Sequence, residues 1–114
     1  MNSKFLTMVV AALVVVAVAA LPATAGAGKA TKVSVGNGFY GPSDVTVKKN
    51  VKVRWSWEGG FELHDVTVKS GPARFHSPTQ AAGTYAHKFA KPGKYVLYCT
   101  QHEGMTMKVT VKKR

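Results

Sequence analysis

The residues best suited to chemistry lie together near the C-terminus, in Tyr98-Cys99-Thr100-Gln101-His102-Glu103-Gly104-Met105-Thr106-Met107. This stretch holds the chain's one cysteine, one imidazole and both methionines that lie beyond residue 8. Thiolate and thioether are soft metal ligands, and imidazole is intermediate. Structural zinc takes four Cys or His ligands and seldom a thioether. Calcium and magnesium take oxygen ligands, and the whole chain has only five acidic residues. A cysteine with two histidines and a weakly held methionine instead suits copper that changes oxidation state. The cluster is one histidine short of that set. His64 is the best candidate, because it opens His64-Asp65-Val66-Thr67-Val68 in phase with two core valines and so points inward. His87 shares an apolar face with Tyr85 and Phe89 ahead of a Pro-Gly turn and reads as structural. His76, in Arg74-Phe75-His76-Ser77-Pro78, reads as a surface loop residue.

The elements that must position these ligands are strands. Val33 and Val35 alternate with polar neighbours, as do Val45 and Val47. Val51, Val53, Trp55 and Trp57 lie on one face, with Lys52, Arg54, Ser56 and Glu58 on the other. Such strict alternation marks a half-buried strand, with both tryptophans in the core. Val66 and Val68 lie opposite Asp65, Thr67 and Lys69. Tyr95, Leu97 and Cys99 share a phase, and Met107, Val109 and Val111 close the series. Gly36-Asn37-Gly38, Gly41-Pro42, Gly59-Gly60, Gly71-Pro72 and Pro92-Gly93 punctuate the runs. No stretch beyond residue 25 keeps a helical period over three turns. The expected fold is all-β, a sandwich or barrel of six or seven short strands. Residues 72–83 form its longest irregular segment.

Taken together, these marks resemble the cupredoxins, the family of plastocyanin, pseudoazurin and amicyanin. The matching residues are Pro42 to Val47, Val51-Lys52-Val53-Arg54-Trp55, His64-Asp65-Val66, and Phe89 with Pro92-Gly93-Lys94-Tyr95. The spacing Cys99-x2-His102-x2-Met105 and the closing Lys108-Val109-Thr110-Val111 complete the pattern, which covers about residues 32–112. The resemblance implies an all-β, Greek-key sandwich or barrel of about seven or eight strands, and one copper ion per chain, cycling between Cu(I) and Cu(II) and held by His64, Cys99, His102 and Met105. A plastocyanin-like loop would select Met107 instead. Met107, however, sits where the family usually has glycine and is in phase with Val109 and Val111, so it reads as core. A second departure is Asp65, where the family usually has an asparagine that ties two ligand loops together. An ionised carboxylate cannot donate a hydrogen bond, which leaves that tie to backbone groups or absent.

The resemblance further implies a blue copper protein that shuttles single electrons between redox partners, with His102 as the more exposed ligand. The alternative is a copper carrier or scavenger of the cell envelope without an electron-transfer role. Catalysis is not expected, since four protein ligands leave no position for substrate. Asp44, Glu58, Glu62 and Glu103 read as solvated charges, too scattered to form a hydrolytic carboxylate pair.

The start of the chain is of different material. Lys4 precedes an apolar run from Phe5 to Leu21, followed by Pro22 and Ala23-Thr24-Ala25. This is the pattern of a secretory signal peptide, residues 1–25, with a second cut available after residue 27. Residues 26–31 form a flexible lead-in, and residues 32–114 the copper-binding domain. The protein is therefore expected to be exported, to the periplasm or cell envelope or beyond. Small exported domains usually carry disulfides, but Cys99 has no partner within the chain, and metal ligation would protect it. The formal charge is +11, and loss of the leader with Lys4 lowers it by one. Export and the lack of interleaved aromatics argue against nucleic acid, and no small-molecule substrate is expected. The basic surface would steer a monomer toward an acidic redox partner or an anionic envelope surface.

Overall fold

The computed structural model describes residues 30–114, so the expected leader and its cleavage sites lie outside the described residues. Eight strands follow in order: β1 (Thr31–Gly36), β2 (Phe39–Gly41), β3 (Asp44–Lys48), β4 (Lys52–Trp57), β5 (Thr67–Ser70), β6 (Gly83–Lys88), β7 (Gly93–Tyr98) and β8 (Thr106–Lys112). No helix occurs among the described residues. One sheet has the order β2-β1-β4-β6 and the other β3-β8-β7-β5. Both are mixed: β1 runs parallel to β4 and β3 parallel to β8, while the remaining neighbours are antiparallel.

The alternation legible in the sequence is what closes the sandwich. Val33 and Val35 of β1, Val53, Trp55 and Trp57 of β4, Tyr95 and Leu97 of β7 and Met107, Val109 and Val111 of β8 all turn inward and are buried. Fully burying each large apolar side chain contributes about 1.5–3 kcal/mol. Trp55 lies at the centre, with Phe75, Tyr85 and Phe89 packed around its ring at centroid distances of 6.0–6.4 Å. Its indole N–H, which needs a partner once buried, donates to Met107 Sδ at 3.3 Å. Three-residue β2 was not distinguishable in the sequence, because so short a strand shows no period.

One stretch departs from the expected alternation. Residues 64–66 precede β5, and all three are buried, Asp65 to 2% exposure. His64 instead forms an isolated bridge with Gln80, and Thr67 with His76, so the irregular 72–83 segment folds back along this stretch. Three hydroxyls and one backbone N–H gather around the Asp65 carboxylate and replace the water that alternation would have given it.

The sandwich has two ends. β4 and β7 finish, at Trp57 and Tyr98, where β6 and β8 begin. The 58–66 and 99–105 loops extend from that end. At the opposite end β1, β4 and β7 start, and β3, β6 and β8 finish.

Candidate metal centre

Two loops at the same end supply the ligand groups. His64 is held by its backbone in three ways. It exchanges a pair of 3.0 Å hydrogen bonds with Gln80, and its carbonyl accepts from Trp57 Nε1 at 3.1 Å. Cys99 directly follows β7, and the loop back to β8 is closed by Cys99 N–H donating to the Met105 carbonyl at 3.0 Å and Met105 N–H donating to the His102 carbonyl at 3.4 Å. Gly104 makes this tight return possible, since its φ of +82° lies in the left-handed region.

His64, Cys99 and His102 converge, their ligand atoms all within 4.8 Å of one another. The two Nδ1 atoms are 3.2 Å apart, and His102 Nδ1 is 3.7 Å from Cys99 Sγ. The opposite ring nitrogens are committed elsewhere. His64 Nε2 lies 3.3 Å from Asn37 Oδ1, and His102 Nε2 lies 3.3 Å from Glu62 Oε1. With the proton of each ring on Nε2, these oxygens accept it and both Nδ1 atoms carry lone pairs 3.2 Å apart. Two lone pairs at that distance repel, and only a shared proton or a metal ion makes the approach favourable. An oxygen partner on the far nitrogen is how metal-ligating imidazoles are oriented. Burial, then the neighbouring His102, pushes the His64 pKa down and keeps the ring neutral, the form a metal requires.

Exposure differs sharply among these groups. His64 and Cys99 are buried, while the His102 side chain is 30% exposed. Gln101 N–H points at Cys99 Sγ from 3.4 Å, a donor suited to a thiolate. Met105 is buried in the same loop. Met107, the other sulfur considered, has its Sδ engaged by Trp55 within the core.

Asp65 makes the tie between ligand loops that its charge had put in question, with the polarity reversed. Its Oδ1 accepts from Thr100 N–H at 3.0 Å and from the Thr67 hydroxyl at 2.9 Å. Its Oδ2 accepts from the hydroxyls of Thr100 and Thr79. Thr100 follows Cys99, so the residue after one ligand grips the residue after another. Desolvation pushes the Asp65 carboxyl up, but these four bonds outweigh it and hold the pKa below the usual carboxylate value. The Tyr40 hydroxyl donates to the Asp65 carbonyl, and burial beside Cys99 and Asp65 raises the Tyr40 pKa.

Of the other histidines, His76 lies in an exposed loop and His87 stacks on Phe75 with ring centroids 3.7 Å apart. Neither joins the cluster. The sequence did not reveal Asn37, and it suggested only solvation for Glu62. Glu62 is indeed 53% exposed, yet it rests on the His102 ring. No local pattern marks a contact between loops so far apart in the chain.

Comparison with known proteins agrees with this donor set. Residues 27–113 match the copper binding proteins of the plastocyanin/azurin family, and the chain belongs to that family. It is a small cupredoxin, and its His64-Cys99-His102 site fits one copper ion. Among solved structures it is similar to a reduced Cu(I) form of an amicyanin variant, with a TM-score of 0.65 and 26% identity over 79% of this chain and 89% of that one. An oxidized amicyanin variant gives a TM-score of 0.65 and 25% identity over 77% and 88% of the two chains. A copper-containing nitrite reductase from Thermus scotoductus shares the fold, with a TM-score of 0.69 and 24% identity over 75% of this chain, which spans only 23% of the reductase. No curated protein matches the chain in sequence.

Proposed function

We propose that this protein is an exported, monomeric blue copper protein that passes single electrons between redox partners. The observation that carries the reading is the convergence of the two Nδ1 atoms and the Cys99 sulfur, with His102 alone partly exposed. His64, Cys99 and His102 would hold the ion, with Met105 as the weak fourth ligand. Met105 is favoured because Met107 already accepts the Trp55 N–H. Bound there, copper supplies a one-electron couple.

The chain's own residues provide the rest. The backbone clamps on His64 and the Asp65–Thr100 tie hold the ligands in one arrangement, which keeps reorganisation small in either oxidation state. The exposed edge of His102 is the electron port. Phe39, Phe61 and Leu63 are exposed around this end and offer apolar contact to a redox partner. A full set of protein ligands leaves no substrate position, so the protein is read as a carrier and not an enzyme. The leader pattern supports a periplasmic or other envelope location.

The test is to add Cu(II) to the purified protein and record visible absorption and electron spin resonance. An intense thiolate-to-copper band that disappears in Cys99→Ser is expected, followed by reversible titration with a redox mediator. A pale spectrum independent of Cys99 would refute the copper–thiolate centre. A blue centre that exchanges copper rapidly and shows no reversible couple would favour an envelope copper carrier instead.

A further inference from the structure

The charge of this protein is sorted by end, and the sorting follows from strand direction. All five acidic residues belong to the copper-site end. Asp44 opens β3, Glu58 follows β4, Glu62 and Asp65 flank His64, and Glu103 lies in the ligand loop. The opposite end has no acidic residue, and its strand termini and turns are rich in lysine, through to the C-terminal Lys113-Arg114.

Register sharpens the contrast. Lys52 of β4 stands directly opposite Lys88 of β6, Lys48 of β3 opposite Lys112 of β8, and Lys32 of β1 opposite Arg54 of β4. All six are exposed. Like charges directly opposite on neighbouring strands destabilise a sheet. Among the described residues no lysine or arginine is in an ion pair, since the one ion pair is His102–Glu62. Three in-register cation pairs at one end of so small a sandwich work against stability, and an external anionic surface would relieve them.

We propose that this basic end is a docking surface for an anionic lipid bilayer, with the copper site facing away from the membrane. Several features favour a bilayer over an acidic protein. The cations span both sheets and the turns between them, the footprint of a charged plane. They are nearly all lysine, a flexible point charge, where a specific protein interface favours arginine and aromatic anchors. The exposed large apolar side chains, Phe39, Phe61 and Leu63, are all at the other end, so this one lacks the apolar centre that a protein interface needs. Membrane contact here leaves His102 open to a redox partner. The surface itself is argued from charge and register, whereas its orientation rests on the proposed copper site and export; binding of the copper-free protein therefore tests the surface separately from the copper reading.

The test is co-sedimentation of the exported, copper-free protein with vesicles of phosphatidylcholine alone or phosphatidylcholine mixed with phosphatidylglycerol. All variants share whatever N-terminus export leaves, so differences between them report the lysines. Binding is expected to need phosphatidylglycerol and to fall steeply with salt. Each cation near an anionic bilayer strengthens binding about fivefold, so Lys48→Gln with Lys52→Gln should weaken it roughly 25-fold. The same change in net charge elsewhere, Lys69→Gln with Lys108→Gln, should weaken it far less. The first variant should also unfold at no lower temperature than the parent, because it relieves two like-charge pairs. Equal losses in the two double variants would overturn the proposal, as net charge alone would then suffice. So would equal binding to neutral vesicles, or capture of an acidic protein through these lysines without vesicle binding.

Discussion

Replacing Asp65 tests whether its carboxylate is the joint between the two ligand loops. Four donors converge on it, from Thr67, Thr79 and both the N–H and hydroxyl of Thr100. Asp65→Ala removes every acceptor at once. The Thr79 and Thr100 hydroxyls belong to exposed residues and can turn to water, but the Thr100 N–H and Thr67 hydroxyl are only part-exposed at the joint. Hydrogen bonds to a charged group contribute about 1.5–3 kcal/mol each. Two such losses, partly offset by no longer burying a charge, come to about 3 kcal/mol. For a domain of this size the melting temperature should fall by roughly 12–24 °C. Asp65→Asn keeps the shape. Its oxygen can accept from Thr100 N–H, and its amide can donate to hydroxyls that rotate, so the cost should stay below about 1.5 kcal/mol. Thermal unfolding of the metal-free protein, followed by circular dichroism at neutral pH, measures both. If Asp65→Ala unfolds within a few degrees of the parent, or Asp65→Asn falls as far as Asp65→Ala, the joint is not what holds the loops.

Acid pH gives a related check. The folded Asp65 carboxyl lies below its unfolded value, so its contribution is complete above the unfolded pKa and is lost as pH falls through the folded one. Asp65→Asn should therefore flatten the acid limb of the stability curve. His87 titrates at higher pH by the same logic, since burial pushes its pKa below the usual 6.5. The unfolded chain then binds the extra proton first, so stability should decline as pH drops below about 6.5, and His87→Phe should reduce that slope in urea unfolding curves, leaving the part contributed by His64, whose pKa is lowered in the same direction. The two sulfurs should separate cleanly. Met107→Leu strands the Trp55 N–H and should cost about 1–3 kcal/mol in unfolding while leaving the copper spectrum unchanged, whereas Met105→Leu should alter the spectrum and potential with little loss of stability. Glu62→Gln keeps an oxygen on His102 but removes its charge, and copper retention against a chelator should drop only modestly compared with Glu62→Ala.

The sequence by itself determined the donor types, the strand faces and the family. Cys99, His102 and Met105 lie within one loop, and the core valines and tryptophans repeat every second residue, so period and spacing are local properties that any reader of the chain can measure. His64 was legible for the same reason, through its phase with Val66 and Val68. Tertiary structure alone decided which atoms meet. That both imidazoles present Nδ1, with Asn37 and Glu62 behind them, depends on loops from β1–β2 and β4–β5 arriving at one end. That Asp65 is buried rather than solvated depends on threonines at 67, 79 and 100 meeting around it. That the acids and the opposed lysines separate to opposite ends depends on strand direction and register. These are long-range pairings, set when two sheets bury a common core, and no local period along the chain encodes them.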